Sequence, residues 1–245
     1  MNRSPALVFD LDGTLVDTAP DILSALNFVL VREGRRPVTR TDLRHLVGHG
    51  ARTMFAEALA ITGGPLPEAR VVALIDDYIA RYRAHIADES RPFPGVEETL
   101  AHFVQMGARL GVLTNKPQEL AVPLLETLGL TKYFVAIHGA GRFSYSKPDA
   151  RVFRHVVDEM GGHGAGALMI GDSTTDAKTA RAANVPVILL TYGYTPDPVE
   201  SLGAAAIADD FNQLPALVNQ ILFQSGCHSR EKRAPAKARG ANQGA

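Results

Sequence analysis

Ala6-Leu7-Val8-Phe9-Asp10-Leu11-Asp12-Gly13-Thr14 is the stretch on which the fold turns. Four apolar residues run straight into an acid, the pattern of a buried strand that ends at a polar edge. Asp10 and Asp12 are separated by one residue, so the period-two alternation of extended chain points them to the same side. Two carboxylates that close are unfavourable unless a cation, a shared proton or catalysis offsets the repulsion. Gly13-Thr14 then supplies a turn whose backbone N–H groups could face an anion.

The same pattern recurs along the chain. Arg109 to Leu113 ends at Thr114, Ala167 to Ile170 reaches Gly171-Asp172, Val185 to Leu190 ends at Thr191, and Ala204 to Ala208 ends at Asp209. Amphipathic stretches lie between these runs. Leu120, Ala121, Leu124, Leu125 and Leu128 share one helical face behind Pro117, and Val152, Phe153, Val156, Val157 and Met160 share another behind Pro148. Alternating strand and helix predicts an α/β fold with a Rossmann-like parallel-sheet core, whose ligand crevice lies beyond the strand ends.

From about Val16 to Pro92 only helical spacing is evident, as in Ile22, Ala25, Leu26, Val29 and Leu30. A helical block of that size cannot be an ordinary crossover between two strands. It reads as an inserted all-α domain over residues 17–92, closing near Arg91-Pro92-Phe93-Pro94-Gly95. Residues 1–16 and 93–224 then form the core. Residues 225–245 hold five basic residues, one acid and no large apolar side chain, and are expected to be a disordered basic tail.

Three further groups carry chemistry. Asp172 and Asp176 lie one turn apart if a helix begins near Ser173, either as caps or as ligands. With Asp10 and Asp12 they place four carboxylates at one sheet edge, which points to a hard divalent cation, Mg²⁺ being the natural candidate. Lys147, held extended by Pro148 at an expected helix start, opposes the macrodipole but suits clustered carboxylates and an anionic substrate. Lys116 precedes Pro117 in the same way, so the residues alone offer two such cations. Thr114 and Asn115 are helix caps or donors to a phosphate.

Asp10-Leu11-Asp12-Gly13-Thr14, Thr114-Asn115, Lys147-Pro148 and Gly171-Asp172-Ser173-Thr174-Thr175-Asp176 resemble the four ordered motifs of the haloacid dehalogenase superfamily. The resemblance extends to about Gln224, with the helical insert at the position of that family's first-type cap. Val47-Gly48-His49-Gly50-Ala51-Arg52 and Thr114-Asn115-Lys116-Pro117 are similar to phosphoglycolate phosphatases, which often have Asn where this chain has His49. The resemblance implies that Asp10 is a nucleophile forming an aspartyl-phosphate and that Asp12 is the acid and then the base. It implies Mg²⁺ between Asp10, the Asp12 carbonyl and Asp172, with Thr114, Asn115 and Lys147 on the phosphoryl oxygens. Asp176 would support the metal waters or Lys147, while Lys116 matches no core role and is either solvated or facing the cap. His49 and Arg52 are candidate cap contacts to substrate, since an Arg could pair with a carboxylate.

Members of the family that displace halide lack an acid equivalent to Asp12, so the resemblance favours phosphoryl transfer. It implies a Mg²⁺-dependent hydrolase of a small phosphorylated metabolite, with a β-phosphoglucomutase-like mutase or a non-catalytic binding protein as alternatives. A silent module would have no need of so costly a charge cluster. The 245 residues are 46% hydrophobic with a net charge of −1, which gives no electrostatic reason to seek nucleic acid or an anionic membrane. Apolar runs are too short to span a bilayer, and the single Cys227 fits a reducing, cytoplasmic setting. Oligomeric state stays open.

Overall fold

The computed structural model describes residues 4–48, 50–162 and 166–224. The chain starts with strand β1 (Ala6–Phe9) and a two-residue strand, β2 (Val16–Asp17), and then enters four helices. These are α1 (Ala19–Arg32), α2 (Arg40–Leu46), α3 (Ala51–Thr62) and α4 (Glu68–Ala84). It returns through β3 (Arg91–Pro92) to α5 (Val96–Gln105), β4 (Arg109–Pro117), α6 (Gln118–Thr127) and β5 (Ala136–Ala140). The rest comprises α7 (Ala150–Glu159), β6 (Ala167–Gly171), α8 (Thr174–Ala183), β7 (Val187–Leu190), β8 (Ala206–Ala208) and α9 (Leu214–Asn219).

Six strands form one parallel sheet in the order β5-β4-β1-β6-β7-β8. The chain leaves β1 for β4 on one side and later reaches β6 on the other. The order therefore reverses at β1, and Asp10 stands at the C-terminal edge of that switch point, where α/β sheets bind ligands. The fold is the expected Rossmann-like α/β architecture.

Alternation along the strands sorts side chains onto the two faces. Leu7, Phe9, Leu110, Val112, Leu168, Ile170, Ile188 and Leu190 face α5, α6 and α9 in one core. Ala6, Val8, Leu113, Met169, Val187 and Leu189 face α7 and α8 in another. Both faces are covered, which is why these strands read as continuous apolar runs rather than alternating ones. Helices α1 to α4 build a third core of their own around Leu26, Leu30, Phe55, Leu59, Leu74 and Tyr82.

The two chain crossings between the sheet and this helical layer pair with each other, Val16 with Pro92 and Asp17 with Arg91 in an antiparallel ribbon. Position 16/17 lies inside this ribbon and 92/93 at its end. Asp21 of α1 latches the return crossing, accepting from the Ser90 N–H at 2.7 Å and the Ser90 hydroxyl at 2.6 Å. The Tyr194 hydroxyl accepts from the N–H groups of Thr18 (2.7 Å) and Ala19 (3.0 Å) and donates to Asp17 Oδ1 at 2.7 Å.

Several local expectations are corrected. Strands β2 and β3 lie within a segment read as helical throughout. Strand β5 was not expected, because Ala136-Ile137-His138-Gly139-Ala140 carries a histidine and a glycine and only one β-branched residue. Strand β4 runs on past Thr114 to Pro117, so Thr114 and Asn115 are strand residues and the N-cap of α6 is Pro117. Helix α7 begins at Ala150 instead of Pro148, since the Asp149 side chain caps it by accepting the Arg151 N–H at 2.8 Å. The Lys147–Pro148 peptide is cis. The basic tail lies outside the described residues.

Phe9 is fully buried with ring centroids 6.4 Å from Phe103, 6.3 Å from Phe134 and 6.0 Å from Phe211. Phe9→Ala should therefore lower the unfolding free energy by about 3–5 kcal/mol in urea titration, without a change in slope.

Candidate active site

The turn after β1 builds the floor of the site. The Asp10 N–H donates to Ile170 O at 2.9 Å, and the N–H groups of Leu15 and Val16 fold back onto Leu11 O at 3.0 and 3.1 Å. Gly13 closes the turn at φ +82°, and a Cβ there would lie 2.7 Å from Asp172 Oδ2. Glycine is required on both counts.

Asp10, Asp172 and Asp176 each bring a carboxylate oxygen within 4.8 Å of the others, and all three are buried. Lys147 sits among them, its Nζ 2.9 Å from Asp10 Oδ1 and 2.7 Å from Asp176 Oδ1. Burial pushes the Asp10 carboxyl up to about 7, against the attraction of Lys147 and with the repulsion of Asp176 added. Burial and the charges of Asp176 and Asp10 raise Asp172 well above the carboxylate range. Burial also works against the Lys147 ammonium, but the carboxylates of Asp10 and Asp176 outweigh it and hold its pKa above the ordinary lysine value.

The three acids do not play the same part. Asp176 Oδ2 accepts from the N–H of Asp172 (3.2 Å), the N–H of Ser173 (3.1 Å) and the Ser173 hydroxyl (2.7 Å). With Oδ1 on Lys147, its acceptor capacity is filled, so it organises the site and the start of α8 in a capping box. Asp172 is positioned by the Thr14 hydroxyl on Oδ1 (2.8 Å) and the Tyr194 N–H on Oδ2 (2.8 Å). Asp10 takes the Leu11 N–H at 2.7 Å and Lys147 on Oδ1, leaving Oδ2 without a hydrogen bond among the described residues. An all-oxygen donor set that burial and mutual repulsion disfavour as anions suits a hard divalent cation. Asp10 and Asp172 fit such an ion better than Asp176.

Around Asp12 the charges pair separately. Its Oδ1 accepts from Lys116 Nζ at 2.9 Å and from the Thr18 hydroxyl at 2.8 Å. Lys116 is buried rather than solvated: its Nζ also donates to the Tyr82 hydroxyl of α4 at 2.8 Å and lies 4.3 Å from that ring's centroid. Burial pushes the Lys116 pKa down, with Asp12 opposing. The structure thus separates the two lysines, Lys147 serving Asp10 and Lys116 serving Asp12.

Thr114 Oγ1 accepts the Lys116 N–H at 3.1 Å, which leaves its hydroxyl proton free to donate. Asn115 differs from expectation. Its Nδ2 is spent on Gly48 O (3.1 Å) and Lys147 O (3.2 Å), so the side chain offers no free donor to a phosphate and instead ties the helical layer to the lysine loop. Arg52 is also placed elsewhere. Ala51 and Met54 line the cavity, whereas the exposed Arg52 pairs with Glu68. Adjacent helical positions point about 100° apart, so Ala51 and Arg52 cannot share that wall. His49 lies outside the described residues. Sequence reasoning missed Tyr194 and Tyr82, since neither belongs to a motif and Tyr82 reads as an ordinary core-face residue.

A cavity opens over Asp10 and Asp12 in two lobes. One, about 50 Å³, lies between the helical layer and β4, lined by Ile22, Leu46, Met54, Tyr78, Lys116 and Leu120. The other, about 250 Å³, runs past Asp172, Ser173, Lys178, Tyr194 and Asp197.

Residues 7–190 match the model of the haloacid dehalogenase-like hydrolase family, and the chain belongs to that family. It is an enzyme, a phosphatase of the phosphoglycolate phosphatase-like kind. It is 48% identical over 220 residues to a phosphoglycolate phosphatase of Agrobacterium fabrum, covering 89% of this chain and 94% of the relative. It is 45% identical to a phosphoglycolate phosphatase of Caulobacter vibrioides, covering 85% and 88%. Among solved structures, a protein of Haemophilus somnus described as a predicted phosphoglycolate phosphatase superposes with a TM-score of 0.83 at 27% identity, covering 89% of this chain and 99% of its own. No helix among the described residues is long and apolar enough to cross a membrane.

In the cation-free protein, folded Asp10 keeps its proton up to about pH 7, whereas the ordinary carboxyl loses it near 3.8. Folding is increasingly penalised as pH rises through that window, and a cation neutralising the cluster removes the penalty. The rise in Tm on replacing EDTA with Mg²⁺ should therefore widen with pH across it. A Cβ on Gly193 would overlap the Asp172 carboxylate. Gly193→Ala should fold, by circular dichroism, and lose most of that Mg²⁺-dependent rise.

Proposed function

We propose that this chain is a Mg²⁺-dependent phosphomonoesterase that works through an aspartyl-phosphate on Asp10, with phosphoglycolate as its leading substrate. The observation that carries the reaction is Asp10 Oδ2, without a hydrogen bond among the described residues, at a cavity floor shared with Asp12 and with a Thr114 hydroxyl that donates to none of them. The substrate reading is supported by the names of the relatives at 48% and 45% identity.

Asp10 attacks phosphorus while the bond to the leaving oxygen breaks. Asp12 delivers a proton to that oxygen, and the alcohol leaves. Lys116 and Thr18 both hold Asp12 through Oδ1, so Oδ2 is the oxygen free to carry the proton. Asp12 then takes a proton from water, which attacks the aspartyl-phosphate and releases inorganic phosphate, restoring Asp10. The Thr114 hydroxyl and the third N–H of Lys147 hold phosphoryl oxygens. Asp10, Asp172 and the main-chain carbonyl of Asp12 would hold Mg²⁺, which when bound offsets the repulsion between the nucleophile and a phosphate dianion.

Residues 1–16 and 93–224 form the catalytic core, and residues 17–92 act as a cap that keeps bulk water from the intermediate. Gly48 supports this reading, because its carbonyl reaches Asn115 across the cavity. The lone Cys227 fits a cytoplasmic setting.

Phosphate release should be Mg²⁺-dependent, fall to background in EDTA and peak on phosphoglycolate in a panel of small phosphomonoesters. Asp10→Asn should lower kcat by at least about 1,000-fold with the fold intact. Conserved organic phosphate with a sugar monophosphate would instead identify a mutase, and absence of turnover on every ester would remove the hydrolase reading.

A further inference from the structure

Lys116 is a buried cation that the hydrolytic steps above do not consume. Its ammonium meets Asp12 Oδ1 at 2.9 Å and the Tyr82 hydroxyl at 2.8 Å, and it lines the smaller lobe of the cavity. Among the described residues it is the one cation that does so. Lys147 is held between Asp10 and Asp176, with its third N–H left for the phosphoryl group, Lys178 lines the other lobe, and Arg52 is spent on Glu68 at the surface.

The division of the cavity decides which end of a substrate meets this cation. The larger lobe holds Asp172 and Ser173, the side where the cation belongs, while Asp10 and Asp12 floor both lobes and Thr114 lines the smaller, so the phosphoryl group sits where the two meet. Asp12 must touch the leaving oxygen and lines both lobes; the Asp172 side is taken by the cation site, so the rest of the leaving group extends into the smaller lobe, beside Lys116. The rest of that lobe is largely apolar, with Ile22, Leu46, Met54, Tyr78 and Leu120 on its walls. Its volume of about 50 Å³ has room for about four water-sized groups.

We infer that Lys116 is the specificity-determining anchor for an anionic group on the leaving alcohol, placed one or two bonds beyond the ester oxygen. This inference rests on the phosphatase reading. An ammonium 2.9 Å from the acid that protonates the leaving oxygen lies within reach of a carboxylate one methylene away. Such a group replaces solvent at Lys116 in an apolar recess, where a charge-assisted hydrogen bond discriminates strongly. A neutral leaving group of the same size leaves the ammonium with Asp12 and the Tyr82 hydroxyl alone. The substrate class is therefore a short phosphomonoester with a terminal carboxylate.

The test compares phosphoglycolate with its isosteric amide, phosphoglycolamide, on the full-length enzyme with Mg²⁺. Wild type should favour the acid in kcat/KM, chiefly through KM. In Lys116→Gln both substrates should slow, because Asp12 loses a partner, but the acid should lose on the order of 100-fold more than the amide. Lys116→Arg should keep a preference for the acid. Equal losses on the two substrates would overturn the inference and leave Lys116 as a positioning residue for Asp12. A second measurement does not depend on the variants folding: the non-hydrolysable phosphonopropionate should inhibit or bind wild type on the order of 10-fold more tightly than its amide. Equal binding of the two overturns the inference. Failure of wild type to release phosphate from any ester would instead count against the phosphatase reading, and the binding comparison would still report on the anchor.

Discussion

Burial of the Lys147 ammonium between Asp10 and Asp176 is the constraint on which the rest of the site depends. All three groups are nearly withdrawn from water, and the distances of 2.9 and 2.7 Å leave little slack. Taking ions out of water costs several kcal/mol each, and their attraction repays this only with good geometry and every remaining hydrogen bond made. The surrounding chain meets that demand. Ser173 and the start of α8 fill the oxygens of Asp176, the Leu11 N–H fills one on Asp10, and Gly13, Gly171 and Gly193 let the backbone approach the carboxylates without a Cβ in the way. The cluster still holds more negative than positive charge. Burial, with that residue of repulsion added, raises Asp10 and Asp172 and makes a divalent cation the natural completion.

Tyr194 connects this cluster to the helical layer. Its N–H holds Asp172 while its hydroxyl gathers the N–H groups of Thr18 and Ala19 and the side chain of Asp17, at the crossing into α1. A displacement of the crossing therefore bears on the orientation of Asp172 through one rigid aromatic side chain. Asn115 makes the matching link on the opposite side, from Gly48 to the carbonyl of Lys147. With the hydrogen bond from Lys116 to Tyr82 of α4, these links tie the helices to the catalytic end of the sheet through residues that hold charge in the site.

How much of this the sequence discloses depends on the kind of signal. Strands β1, β6 and β7, buried on both faces, announce themselves as apolar runs, and the acids at their ends mark the edge that matters. Helix α1 is legible because Ile22, Ala25, Leu26, Val29 and Leu30 all face one core. Strand β5 is not, because its place is secured by pairing with β4 and by packing around His138, not by β-forming residues. Of the site, the identities of Asp10, Asp172 and Lys147 follow from local pattern and resemblance. The partners of Asn115, Arg52 and Lys116 do not, because they depend on contacts between segments 32 residues apart or more, or on helical phase at a loop end. Only the fold decides whether a given donor is spent or free.

The separate fates of the two lysines show why such contacts matter to function. Each precedes a proline, and nothing local distinguishes them. The fold places Lys147 against the nucleophile, where the excess of carboxylates holds its charge firmly, and Lys116 against the acid, beneath an aromatic ring of the helical layer. Lys116 has one carboxylate where Lys147 has two, so burial prevails and its pKa falls instead of rising. A cation that is short of negative charge, buried and adjacent to a recess has electrostatic capacity that the protein does not fill. A small anion entering beside Asp12 fills it, whereas Lys147, already between two carboxylates, has only its third N–H to give to a phosphoryl oxygen. The same residue type thus has its charge balanced mainly by the protein at one site and open to a ligand's charge at the other, and the count of neighbouring carboxylates decides which.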